Sequence, residues 1–97
     1  MDIEDWRRKI DEVDSEILRL LNLRAQYSIE IGHIKQQRHL PIHSPEREQA
    51  IVERLVQENG GPLSHDGVRR VFERIIDESR KLEKDETLGL QSKRKEG

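Results

Sequence analysis

The chain has 97 residues, 39% of them charged and 32% hydrophobic, with Trp6, Tyr27 and Phe72 as its aromatics. That length suffices for one domain, but the apolar supply is thin for a self-contained core. Eighteen Lys and Arg against twenty Asp and Glu leave a formal charge of −2, interleaved along the chain instead of gathered into a basic stripe, which argues against nucleic acid as a partner; the lack of cysteine excludes disulfides and thiol chemistry and fits a reducing compartment.

The acidic start Met1-Asp2-Ile3-Glu4-Asp5 has neither the basic nor the apolar region of a signal peptide, and no run is long enough to span a bilayer. The expectation is a cytoplasmic protein without a membrane partner. Asp2 reads as an N-cap, with Glu4 and Asp5 in a first turn whose dipole favours acids. From there to Arg38 the chain carries no proline and a single glycine, Gly32. Ile3, Trp6, Ile10, Val13, Ile17, Leu20, Arg24, Tyr27, Ile31 and Ile34 recur at steps of three and four, the seam a helix presents to a partner helix. A helix from Ile3 to Arg38 spans about 54 Å, far beyond a compact domain of this size, so a second chain is expected to cover the seam.

Pro41 ends this first helix near Gln37 and opens the loop His39-Leu40-Pro41-Ile42-His43. Ser44-Pro45-Glu46 is a helix start, the serine oxygen being a cap for free amides and proline fitting the first helical position. Helix 2 carries Ile51, Val52, Leu55 and Val56 on one face and stops at Asn59-Gly60-Gly61-Pro62. Ser64 caps helix 3, whose apolar stripe is Val68, Val71, Phe72, Ile75, Ile76 and Leu82. Past Lys84 the pattern fades, so residues 1–84 read as one all-α domain and residues 85–97 as a solvated flexible tail or linker stub.

Polar residues that interrupt apolar faces or open helices are the candidates for chemistry. Arg24 sits at a seam position, where a guanidinium either snorkels, specifies register or finds an anion. Arg24, Ser28, Ile31 and Lys35 share one face of helix 1, so a cation stands at each end of a strip that suits a small dianion. Arg47 and Glu48 open helix 2, and Ser79 and Glu83 occupy successive turns of helix 3, so three helices can deliver polar groups to one pocket. Individually each has a duller reading, as solvated charges or as a serine bonded to its own helix. His39 and His43 are spaced i, i+4 but straddle Pro41 with no third ligand, so no metal is expected there, and His33 and His65 read as surface residues.

The runs Trp6-Arg7-Arg8-Lys9-Ile10-Asp11-Glu12-Val13-Asp14, Leu20-Leu21-Asn22-Leu23-Arg24, Glu30-Ile31-Gly32-His33-Ile34-Lys35, Pro45-Glu46-Arg47-Glu48 and Ile75-Ile76-Asp77-Glu78-Ser79 resemble, in that order, the all-helical class of chorismate mutases. The resemblance spans roughly Ile3 to Glu83. It implies three helices per chain, one long and two shorter, in an intertwined homodimer with two shared active sites, each completed by an arginine from the other chain, matched here by Arg7. Geometry agrees. Arg7 lies about 25 Å from Arg24 and about 42 Å from Lys35 along a straight helix, so only an antiparallel partner brings it to the strip, with the two-fold axis near Ile17 or Leu18.

The activity implied is the intramolecular rearrangement of chorismate to prephenate, with no cofactor and no metal. By the same resemblance Arg24 and the partner's Arg7 grip the two carboxylates with help from Ser79, and Lys35 touches a carboxylate and the ether oxygen. Glu48 accepts from the ring hydroxyl, Ser44 contributes through its backbone, Arg47 supports the site through backbone and charge, and Glu83 donates to the ether oxygen. Ser44 stands where aspartate is common, and Glu83 where many members have glutamine, so Glu83 must be protonated to donate. Three other functions share the pattern. They are a weakly catalytic regulatory domain binding prephenate or chorismate for a fused or associated aromatic-pathway enzyme, an isochorismate-pyruvate lyase, and a plain helical dimerisation module.

Overall fold

The computed structural model describes the backbone of residues 1–96 and the side chains of residues 1–87, all of it helix and connecting turn. Helix α1 runs Ile3–Gln37, α2 runs Pro45–Glu58 and α3 runs His65–Glu96. The start of α1 follows its sequence signal closely. The Asp2 carboxylate accepts from the Asp5 amide at 3.0 Å and the Asp5 carboxylate accepts from the Asp2 amide at 3.0 Å, a reciprocal capping box.

The end of α1 owes its form to more than Pro41. Leu40 donates its amide to the Lys35 carbonyl at 2.8 Å and His39 donates to the Gln36 carbonyl at 3.3 Å, the paired bonds of a Schellman stop. His39 takes the left-handed position with φ 57°, where glycine is the usual occupant. At α2, Ser44 precedes Pro45 as expected, but its hydroxyl makes no capping bond. Its ψ of 87° departs from the fully extended geometry of Asp2, at ψ −176°, so the side chain is not aimed back along the first turn. Asn59 shapes the α2–α3 turn, accepting from the Gly61 amide at 3.0 Å and donating to the Leu63 carbonyl at 2.8 Å, while Gly61 adopts φ 77°. Ser64 does cap α3, its Oγ accepting from the Gly67 amide at 2.9 Å.

Two expectations are corrected along α3. The helix does not stop near Lys84 but continues to Glu96, because nothing between contains a proline or other stop signal strong enough to break the backbone bonds. The reading of residues 85–97 as a solvated tail or linker stub falls, for most of its side chains, outside the described residues. Val71 is exposed, although it belongs to the predicted stripe.

Helix α3 packs against both α1 and α2. Its Ile76 and Val68 are buried with Val52 of α2, and that is the whole buried apolar core of the described residues. The molecule is correspondingly long and thin, 58 × 30 × 15 Å with a radius of gyration of 17.2 Å, where a compact chain of this length has about 13 Å. The N-terminal half of α1 stands clear of the rest. Trp6 is 55% exposed and Ile10 57%, and the other seam residues Ile3, Val13, Ile17 and Leu20 are exposed with them. Among the described residues no helix is long and apolar enough to cross a membrane.

Candidate active site

Where α3 crosses α1, Gly32 is buried and the space a Cβ would fill lies 3.4 Å from the Glu83 Cβ. The one glycine of α1 therefore lets α3 pack directly against the helix backbone, and it sets Glu83 against the face that carries Lys35. His33, adjacent to Gly32, is half-buried there with its Nε2 lacking a hydrogen-bond partner among the described residues, contrary to its reading as a surface residue. His65 is exposed.

Around this crossing the three helices enclose a half-open cavity of about 280 Å³. Helix α1 supplies Arg24, Ser28, Ile31 and Lys35, the face expected from the three-and-four spacing. Ile42 from the loop and Ser44, Arg47, Glu48 and Ile51 from the start of α2 form a second wall, and Ile76, Ser79, Arg80 and Glu83 of α3 form the third. Of the eight residues singled out by sequence, the fold gathers seven: Arg24, Lys35, Ser44, Arg47, Glu48, Ser79 and Glu83. The eighth, Arg7, lies on the free arm of α1, where its guanidinium pairs with Glu4 at 2.8 Å in full exposure.

The polar groups hold one another in place. Arg24 donates from Nη1 to the Ser79 Oγ at 2.5 Å, linking α1 to α3. Lys35 donates to the Ile42 carbonyl at 2.9 Å, which anchors its ammonium at the cavity wall and leaves it 3.9 Å from the Glu83 carboxylate, outside hydrogen-bond range. Glu83 itself is buried. Burial raises its pKa above the ordinary 4.5, the positive charges of Lys35 and then Arg24 pull it back, and the negative charge of Glu48 adds to the rise. The net direction is upward, so this carboxyl holds its proton to a higher pH than a free glutamate does, and it can donate while protonated.

Sequence reasoning missed Arg80. In a strongly charged helix it reads as one more solvated cation, yet it is partly buried, its Nη1 donates to both Glu48 oxygens at 2.8 and 2.9 Å, and its Nη2 donates to Asp77 at 2.9 Å. Its position directly after Ser79, with an acid three residues before it, is the signal that was available. Ile31, Ile42, Ile51 and Ile76 supply the apolar part of the cavity lining. Charge and size together suit a small anion with an apolar ring, held between the fixed cations Arg24 and Lys35 with the Glu83 carboxyl beside Lys35.

The family model for chorismate mutase type II matches residues 6–84. The chain belongs to that family. A chorismate mutase from Methanocaldococcus jannaschii is 33% identical over 101 residues, covering 96% of this chain and 95% of that protein. The bifunctional chorismate mutase/prephenate dehydratase of Aquifex aeolicus is 40% identical over 87 residues, 86% of this chain. The chain spans about a quarter of the length of such bifunctional relatives, 24% for the Aquifex protein. Among solved structures, the Helicobacter pylori chorismate mutase in complex with prephenate superposes with a TM-score of 0.81 at 32% identity, covering 88% of this chain and 92% of that one. The all-helical architecture expected from the sequence is thus the architecture of the family.

Proposed function

We propose that this chain catalyses the rearrangement of chorismate to prephenate, and that it does so as an antiparallel homodimer with two shared sites. The observation that carries the reading is the meeting of Arg24, Lys35 and the buried Glu83, whose pKa burial raises, in one cavity built from residues far apart in sequence. The reaction breaks an ether C–O bond and forms a C–C bond within one molecule, so it needs the ring and side chain held in a compact conformer and positive charge or a donor where the ether oxygen becomes negative. Arg24 and Ser79, already bonded to each other, offer a carboxylate clamp. Lys35 and Glu83 flank the place for the ether oxygen, and Glu48 accepts from the ring hydroxyl. Arg47 and Ser44 border the site with charge and backbone.

The second carboxylate falls to Arg7 of the partner subunit. Support comes from the exposed seam of α1, whose Trp6, Ile10 and Val13 offer apolar surface suited to a second helix on the segment that carries Arg7, and from the length of α1, 35 residues or about 52 Å. The same proposal includes a cytoplasmic location and, in its natural setting, fusion to or association with an enzyme that consumes prephenate, as the bifunctional relatives' names describe for them. The deciding experiment is continuous measurement of chorismate loss, with product identification, for the wild type and Arg24→Ala. A folded wild type that leaves chorismate untouched at acidic and neutral pH sinks the proposal. Release of salicylate and pyruvate from isochorismate instead would favour the lyase.

A further inference from the structure

Glu48 is the acceptor of the site, but a glutamate at the start of a helix has three freely rotating side-chain bonds and a charge that repels a dianionic ligand. Both problems are met by one neighbour. Arg80 places Nη1 between the two Glu48 oxygens, at 2.8 and 2.9 Å, so one charged nitrogen holds both ends of the carboxylate at a fixed distance from α3. The guanidinium is itself held from the other side, since its Nη2 donates to Asp77 Oδ1 at 2.9 Å, one turn back on the same helix. Among the described residues Arg80 is the only side chain that hydrogen-bonds the Glu48 carboxylate. The His43 Nε2 stands 3.7 Å from Glu48 Oε1, beyond hydrogen-bond range.

We infer that Arg80 is a positioning residue, the middle of an Asp77–Arg80–Glu48 relay across α3 and α2 that fixes the Glu48 carboxylate where it receives the ring hydroxyl of the substrate. The inference rests on the function proposed above and deepens it. The chain of contacts has direction. Asp77 orients the planar fork, the fork orients the carboxylate, and the carboxylate keeps lone pairs directed into the cavity for a ligand O–H. Arg80 also balances the Glu48 charge at the cavity wall, so that an acceptor is present without adding repulsion toward the substrate carboxylates or toward Glu83. Its side chain lines the cavity beside Ser79, yet nothing in the relay requires it to touch the ligand.

A purely structural clamp between α2 and α3 would act on every substrate alike, and that difference supplies the test. kcat and KM are measured for wild type, Arg80→Met and Arg80→Lys with chorismate and with an analogue whose ring hydroxyl is replaced by hydrogen, each variant being checked for helicity and oligomeric state. Arg80→Met is expected to lower kcat/KM on chorismate about tenfold, the loss of one charge-assisted constraint, and to change it less than about twofold on the analogue. Arg80→Lys is expected to fall between, because an ammonium balances Glu48 but cannot bridge to Asp77 in the same plane. If Arg80→Met does not fold, Arg80→Lys carries the same comparison with a smaller loss confined to the hydroxylated substrate. Equal losses on both substrates, or no loss on chorismate, overturn the relay and leave the mutase reading standing. A wild type inert toward chorismate overturns both.

Discussion

Arg24 and Glu83 have opposite parts in the proposed mechanism, the first as a cation that binds a carboxylate and the second as an acid that donates while protonated. Removing the Arg24 guanidinium leaves Ser79 without its 2.5 Å donor and the proposed carboxylate clamp empty, so Arg24→Ala is expected to lose on the order of 10²–10³ in kcat/KM while remaining helical by circular dichroism. Glu83 behaves in the reverse sense to a salt-bridged acid. Because burial lifts its folded-state pKa above 4.5, the folded chain holds more protons than the unfolded one between those two values. Stability is therefore greatest below the ordinary value and declines as pH rises through the raised one. Activity is expected to decline over the same interval as the donor proton leaves. Glu83→Gln keeps the donor and has no such proton to lose, so its kcat should be nearly level across that range, and its urea midpoint should lose the corresponding slope. A wild-type profile as flat as that of Glu83→Gln would contradict the assignment.

Among the elements, α1 has one end made by side chains and the other by backbone. The capping box at Asp2 predicts that Asp2→Ala costs about 1 kcal/mol in chemical denaturation. At the other end His39 occupies a left-handed position with φ 57°, so His39→Gly is expected to gain about 0.5–1 kcal/mol, provided the Schellman bonds persist. Gly32 is the more demanding site. A Cβ there would meet the Glu83 Cβ at 3.4 Å, an ordinary contact, so Gly32→Ala should be tolerated, with a helix-propensity gain of up to about 1 kcal/mol. Gly32→Leu has no room to enter without driving α3 from α1, and should destabilise the chain and abolish turnover together. Periodicity identified the three helices, their order and their caps at Asp2 and Ser64, because those features depend on residues close in sequence. It placed a cap on the Ser44 hydroxyl that backbone geometry withholds, and it stopped α3 too early, since weak amphipathicity is not the same as a helix break.

At the scale of the molecule, the three apolar side chains buried among the described residues, Val52, Val68 and Ile76, are too few to stabilise an independent domain, while the apolar seam of α1 faces outward. A second copy lying along that seam meets both conditions. Sedimentation is expected to give a dimer whose melting temperature rises with protein concentration, and Ile17→Glu, near the forecast two-fold axis, should dissociate it and remove activity even though Ile17 lies outside the cavity. A folded monomer at micromolar concentration would refute the shared site. The sequence by itself determined the all-helical class, the seam, the strip from Arg24 to Lys35 and the family motifs, all of which are written in spacings of three and four along single helices. Only the tertiary structure decided that Gly32 packs against Glu83 of α3, that burial there raises the pKa of Glu83, and that Arg80 holds Glu48 from the neighbouring helix. Those depend on which faces meet across the fold, and a pattern read along one helix carries no record of the charge, volume or water that another helix brings to it.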